Sequence, residues 1–377
     1  MESTAIAADA RKRRTKPAII DCDIHIPSVK EEMLAYLPRH YREQIDTFGM
    51  RLPSQGAMYL NGAKGGRMQE QQFPNDGKTS SILEHFRREH LDKYNIAHAI
   101  LTGIGDYGIN TTPDPDYAAA LCRASNDYGI DHFVSQDPRV KSSIMIPKQD
   151  PLLAAQEIDR VGDHPGLVQV IVSNGAEKPY GNRFYYPIYE ACVRHNLPFA
   201  VHVSMEGIGI NHPPTGAGHV NHYIEYRMAR TQIMMAHLAS MIFEGVFVRF
   251  PELKFVMIEA GMLWVAPYMW RMDQDWKALR SQTPWVSEPP SEYVRRHVRF
   301  TSQPLELPPD NAMFEPMMNA IFADTNLLFA SDYPHWDFDS PLKAFPKMSA
   351  ERRERIFYAN AAELYGLPSP AGQEASE

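Results

Sequence analysis

The first apolar run of the chain, IIDCDIHI, carries Asp21, Asp23 and His25 at alternate positions. In an extended strand successive side chains point to opposite faces, so alternation places these three together and Cys22 and Ile24 on the other side. Asp23 and His25 then aim an oxygen and a nitrogen donor from one strand end. Four more polar residues end or directly follow short apolar runs: His202 after PFAV, His237 after QIMMA, Glu259 after KFVMI, and Asp332 just past NLLFAS. Imidazoles and carboxylates without thiolates form the donor set of Zn, Mn or Fe sites that leave positions open for water and substrate. A buried charge without a partner is costly, so such groups require a metal or one another. For a second ion, His237 and Glu259 are the nearest candidates. A carbamylated-lysine bridge is unavailable from GLVQVIV, which has no lysine.

The elements that must position these donors are short, β-rich and apolar: PAIIDCD (17–23), AHAILTG (97–103), SSIMIP (142–147), GLVQVIV (166–172), PFAVHV (198–203), QIMMAH (232–237), KFVMIE (254–259) and NLLFAS (326–331). Segments such as DPDYAAALCRASNDYGIDHF and NRFYYPIYEACVRHN lie between them, with apolar residues three or four apart, as in helices. Alternating strands and helices imply parallel strands buried on both faces. Eight such units predict an α/β chain folded as a (β/α)8 TIM barrel, with an open doubly wound sheet as the alternative. No GxGxxG or GxxxxGK[ST] supports that alternative. In a barrel, polar residues at the C-terminal ends of several strands converge on one rim, where catalytic groups gather.

Two stretches break the repeat, giving insertions after strands 1 and 5. Residues 37–83 are rich in Pro, Gly and Gln, and 204–228 carry His212, His219 and His222 in a Gly/Pro-rich loop. Both read as lid or substrate-contacting segments, with His212, His222 and His335 as candidate substrate contacts. The domain is expected over 17–366, between a basic disordered tail, 1–16, and a second disordered tail, 367–377. A formal charge of -8 argues against nucleic acid and for a small-molecule partner. No apolar run approaches membrane-spanning length, and three scattered cysteines suggest neither disulfides nor a thiolate site, so a cytoplasmic protein is expected.

The pieces IDCDIHIP, NRFYYPIYEACVRHNLPFAVH, MMAHLASMIFEGVFVRFPELKFVMIEAG, LLFASDYPHWD and IFYANAAELYGL together resemble the amidohydrolase superfamily, in the branch of aminocarboxymuconate-semialdehyde and resorcylate-type decarboxylases. That resemblance implies Asp23 and His25 as first-strand metal ligands and His202 as a fifth-strand ligand. It further implies His237 as a sixth-strand ligand or acid/base, and Asp332 as eighth-strand ligand and proton carrier. An acidic residue at position 23, where many members have histidine, leans toward the resorcylate-like decarboxylases. The implied activity is metal-dependent decarboxylation or hydrolysis of a small carboxylate-bearing substrate, with Zn or Mn.

Glu259, His335 and Asp337 make the site richer in ligands than one ion requires. A small branch of the superfamily houses a dinuclear iron or Mn/Fe centre that activates oxygen, so a monooxygenase is the alternative, with Glu259 as bridge. Glu259 could instead pair with Arg227 or Arg271. A third class is a non-catalytic partner subunit, against which the intact ligand series argues. Trp264, Met269, Trp270 and Trp276 fall near helical intervals, suggesting core or a subunit contact, hence a homodimer or a complex with a related subunit.

Overall fold

The computed structural model describes residues 17–50, 52–53, 73–104 and 107–368. The expected tail 1–16, nearly all of 367–377 and the middle of the 37–83 insertion lie outside the described residues.

Eight strands run in parallel, each bonded to the next in chain order: β1 (Ile19–Ile24), β2 (Ile96–Leu101), β3 (Val140–Met145), β4 (Leu167–Ser173), β5 (Phe199–His202), β6 (Phe255–Ile258), β7 (Val298–Thr301) and β8 (Leu327–Leu328). The ring closes where the Cys22 amide donates to Phe329 O at 3.0 Å and the His25 amide to Tyr333 O at 2.8 Å. This is the expected (β/α)8 barrel. Every residue of β1, β4, β5 and β6 is buried, because helices cover the outside while side chains fill the lumen. Asp-Pro starts two of the covering helices. Asp114 accepts from the amides of Asp116 and Tyr117, and Asp150 from those of Leu152 and Leu153, while the proline after each supplies a φ already suited to the first turn. Cys22, Cys122 and Cys192 are buried free thiols.

Two of the expected elements are corrected. QIMMAH is not a strand but lies within the 21-residue helix Tyr223–Phe243, whose buried residues Met234, His237, Leu238, Met241 and Ile242 follow helical spacing. A six-residue apolar run does not by itself separate the two periods. The missing strand is Val298–Thr301, which Arg299 breaks into a pattern too short to stand out. The insertion after strand 5 is thus partly helical, and the one after strand 1 includes the helix Arg39–Phe48. Trp264 and Trp276 are half-buried and hydrogen-bonded to backbone carbonyls, whereas Trp270 is 55 % exposed.

Simple alternation also misplaces Asp21. The β1–β2 register is interrupted between Asp21 and Ile24, and such breaks re-aim side chains. Asp21 turns to His90, whose Nε2 lies 2.9 Å from Oδ2, and its Oδ1 accepts the Ser331 amide at 2.9 Å. The carboxylate therefore ties β1 to the segment after β8, next to both Asp23 and Asp332. Asp21→Ala would strand these buried donors and is expected to lower unfolding free energy by about 3 kcal/mol in urea titration. Unchanged stability would show the link to be dispensable.

Candidate active site at the barrel rim

Asp23 is the last residue but one of β1, with His25 directly after the strand, His202 closes β5, Glu259 follows β6 and Asp332 follows β8. The fold brings all five together. His25 Nε2 lies 3.2 Å from Asp23 Oδ1 and 3.0 Å from Asp332 Oδ1; His202 Nε2 lies 3.5 Å from Asp23 Oδ1 and 3.4 Å from Glu259 Oε2. His335 joins them, with Nδ1 2.6 Å from Asp332 Oδ1 and its ring stacked on His25 at 4.3 Å. Two overlapping donor groups result, Asp23–His25–His202–Glu259 and His25–Glu259–Asp332–His335, each with its donor atoms within 4.8 Å of one another. Glu259 and Asp332 both adopt left-handed backbone, at φ 57° and 58°. Such strain in non-glycine residues costs about 1–3 kcal/mol and persists where the surroundings enforce it, often at functional sites.

The donors converge without satisfying one another. Asp23 Oδ2, His25 Nε2, His202 Nε2 and Asp332 Oδ2 are all buried and make no hydrogen bond, although their neighbours are within ion-pair distance. Their lone pairs are directed at a shared space. His202 Nδ1 lies 2.9 Å from Val203 O, and donating a proton there leaves Nε2 with the free lone pair that a metal ligand needs. Thr102 Oγ1 donates to Asp23 Oδ1 at 2.6 Å, and the Tyr107 ring stacks on His202 with centroids 5.2 Å apart. Arg230, buried behind the cluster, holds Glu259 Oε1 at 3.1 Å. With neutral imidazoles, three carboxylates against one guanidinium leave two negative charges uncompensated. This donor set fits one divalent cation.

Burial pushes the Asp23 carboxyl up, but the imidazoles of His202 and His25 outweigh it and hold it well below the usual range. Burial pulls His25 down, yet Asp23 and Asp332 raise it well above an ordinary histidine. Asp332 is lowered by His335 and His25 against its own burial. Glu259 goes the other way, raised by burial and by Asp332, with Arg230 and His202 opposing.

The amidohydrolase family model matches residues 20–367. The chain belongs to the amidohydrolase family. It is 25% identical over 296 residues to the gamma-resorcylate decarboxylase of Polaromonas sp. (strain JS666), a match covering 74% of this chain and 85% of that protein. The gamma-resorcylate decarboxylase of Rhodococcus jostii (strain RHA1) is 22% identical over 310 residues, or 76% and 88% of the two chains. Among solved structures, 2,6-dihydroxybenzoate decarboxylase in complex with 2,6-dihydroxybenzoate superposes with a TM-score of 0.64 at 18% identity, covering 93% of this chain and 99% of that one. The 5-carboxyvanillate decarboxylase of Novosphingobium aromaticivorans, with manganese and 4-hydroxy-3-methoxy-5-nitrobenzoic acid, gives 0.67 at 18% identity, covering 93% and 96%.

Within this amidohydrolase, four sequence-predicted residues stand apart from the cluster. His237, expected on a sixth strand as ligand or acid/base, sits mid-helix: Nε2 donates to Asn174 O at 2.7 Å and Nδ1 accepts the Tyr180 amide at 3.2 Å. Both ring nitrogens are committed to backbone, which corrects its assignment as metal ligand and catalyst. His212 and His222 are exposed and outside both donor groups. His212 borders a separate cavity of about 660 Å³, and the His222 amide donates to Glu225 at the start of the helix Tyr223–Phe243. Asp337 binds Arg227 rather than the cluster. No helix among the described residues is long and apolar enough to cross a membrane.

Three contributors went unread in the sequence: Thr102, Tyr107 and Arg230. Thr102 directly follows β2 and carries the same strand-end signal as the others; Arg230 is one of two arginines in its helix, with nothing local to single it out. Because Thr102 orients the Asp23 carboxylate, Thr102→Val is expected to weaken any divalent-cation binding at the rim about tenfold in calorimetric titration while the fold persists. An unchanged affinity would remove Thr102 from the site.

Burial and Lys148 pull His237 down to about 4, despite its bond to Asn174. His98 and His297 are likewise lowered to about 4, first by burial and then by neighbouring cations. The folded chain keeps all three neutral, whereas the unfolded chain protonates them near 6.5. Their contribution is therefore intact above about pH 6.5 and lost as pH falls toward about 4. The urea midpoint should decline across that window, and His237→Gln should flatten the decline. A flat profile in the wild type would contradict the assignment.

Proposed function

We propose that this chain is a metal-dependent decarboxylase of a small aromatic carboxylate, working at the rim formed by Asp23, His25, His202, Glu259 and Asp332. The observation that carries the reading is the convergence of four unsatisfied buried donor atoms, one each on Asp23, His25, His202 and Asp332, the last a carboxylate already hydrogen-bonded to a partly exposed histidine. The decarboxylase relatives support the substrate class. Manganese is the metal favoured among the family's options, since a solved decarboxylase of the same fold carries it.

The reaction is redox-neutral. The ring carbon that bears the carboxylate gains a proton, the bond from that carbon to the carboxylate breaks with its electron pair returning to the ring, and CO2 leaves. Asp23, His25, His202 and Asp332 would hold a divalent cation, which when bound would supply attraction for the substrate's oxygens and stabilise charge that develops near them. Asp332 carries the proton. Buried on the rim, it receives that proton through Oδ1 from His335 Nδ1, and His335, 32 % exposed, reloads from solvent. Tyr107 and Thr102 fix the orientations of His202 and Asp23, so the donors need little rearrangement when substrate arrives.

One observation favours a second reading, an oxygen-activating dinuclear iron or Mn/Fe hydroxylase: Glu259 belongs to both donor groups and could bridge two ions. His25 weighs against it. Its Nε2 faces Asp23 and Asp332 alike, and a nitrogen lone pair binds one ion.

CO2 release from ortho-hydroxybenzoates by Mn-loaded protein is the direct test. Asp332→Asn is expected to lower kcat at least 10³-fold, and His335→Gln about 10- to 100-fold with a shifted pH profile. Full activity in Asp332→Asn would sink the proton assignment. Two redox-active ions per chain with oxygen-dependent turnover would replace the decarboxylase with the hydroxylase.

A further inference from the structure

At the opposite end of the barrel, an open cleft of about 920 Å³ lies beneath the starts of β6 and β7. That size falls within the range of small-molecule sites. Lys254 and Arg299 stand on its wall beside Arg295, Arg296 and His297, and the chain as a whole carries a charge of -8. The cleft's two carboxylates are already engaged, Glu288 with Arg296 and Asp324 with Arg352, while Arg295 is paired with Glu292.

That leaves Lys254 and Arg299. The first donates to Arg296 O at 2.9 Å and the second to Val298 O at 2.8 Å, so each is anchored by a backbone carbonyl. Among the described residues neither forms an ion pair with a carboxylate; the nearby Glu363 is held by Arg355. Both are half-buried. Burial, followed by Arg299 and Arg296, pulls the Lys254 amine down, and burial also pulls down the Arg299 guanidinium. Two cations so placed repel one another, and the carboxylate that faces Arg299, Glu363, is shared with Arg355. Phe322, which borders the cleft, holds left-handed backbone at φ 58°, a further strained position away from the rim.

We propose that this cleft binds a small multivalent oxyanion, a phosphate- or polycarboxylate-bearing metabolite, with Lys254 and Arg299 as its principal contacts. The site is separate from the catalytic rim: Lys254 precedes β6 and Glu259 follows it, a span of about 16 Å along the strand. The inference does not depend on which reaction the rim performs. Phosphate and carboxylate share the required charge and acceptor oxygens, and Arg299 can offer two parallel donors to either.

The test uses the full chain, with inorganic phosphate and tricarballylate titrated separately at ionic strength held constant with KCl. A saturable rise in Tm of about 2 °C or more is expected, abolished in Lys254→Gln/Arg299→Gln and retained in Asp332→Asn. Metal content should be the same in wild type and double variant. A response to phosphate alone identifies a phosphate ester, and one to tricarballylate alone a polycarboxylate. If the double variant does not fold, Lys254→Gln and Arg299→Gln singly should each weaken binding at least tenfold. No saturable response, an equal response to KCl, or variants that respond like wild type would overturn the proposal.

Discussion

Three carboxylates share one buried corner of this molecule with a guanidinium. Asp23, Glu259 and Asp332 are all buried within a few ångströms of the same imidazoles, and Arg230 offers a permanent positive charge beside them. Such a group needs positive charge beside it, and the imidazoles of His202 and His25 hold the Asp23 carboxyl low while Asp23 and Asp332 raise His25. The imidazoles already lie within ion-pair distance of the carboxylates, and His202 and the three carboxylates are held in place from behind.

That backing is where the barrel does its part. Val203 O engages the far nitrogen of His202, Thr102 an oxygen of Asp23, Arg230 an oxygen of Glu259, and His335 an oxygen of Asp332. The left-handed backbone at Glu259 and Asp332 aims two of the carboxylates from strand ends whose regular continuation would carry them elsewhere. Asp21 performs the corresponding task one layer back. By accepting the Ser331 amide it fixes the approach of β8 to β1, so that the ligands from the two ends of the chain meet although 309 positions separate Asp23 from Asp332.

Most of this was legible in the sequence for a physical reason: a strand buried on both faces has no use for a polar terminus unless that terminus works. His202, Glu259 and Asp332 announce themselves in this way, and eight apolar runs between helical segments announce the barrel. QIMMAH misled because a buried helix and a buried strand look alike over six residues, and His237 inherited the wrong element with it. Asp21 misled because period-two alternation assumes an unbroken register, which β1 does not keep. Arg230 could not be read at all. Its role depends on a contact between a helix and a strand end 29 residues away, and a lone arginine in a helix has many ordinary uses.

Glu259 shows how the site balances competing demands. One oxygen is bound to Arg230 and the other faces His202 Nε2 at 3.4 Å. Engaged by the guanidinium, the carboxylate contributes little net charge to the rim, and Asp23 with Asp332 then match one divalent ion. Released from it, the same carboxylate would add a charge and a bridging oxygen, and the rim would have the acidity that two ions require. The charge that the rim presents is therefore set by a buried ion pair behind it as much as by the side chains that face inward. Burial of Arg230 strengthens that pairing, since neither partner can exchange the other for water without leaving a charge unpaired in the protein interior.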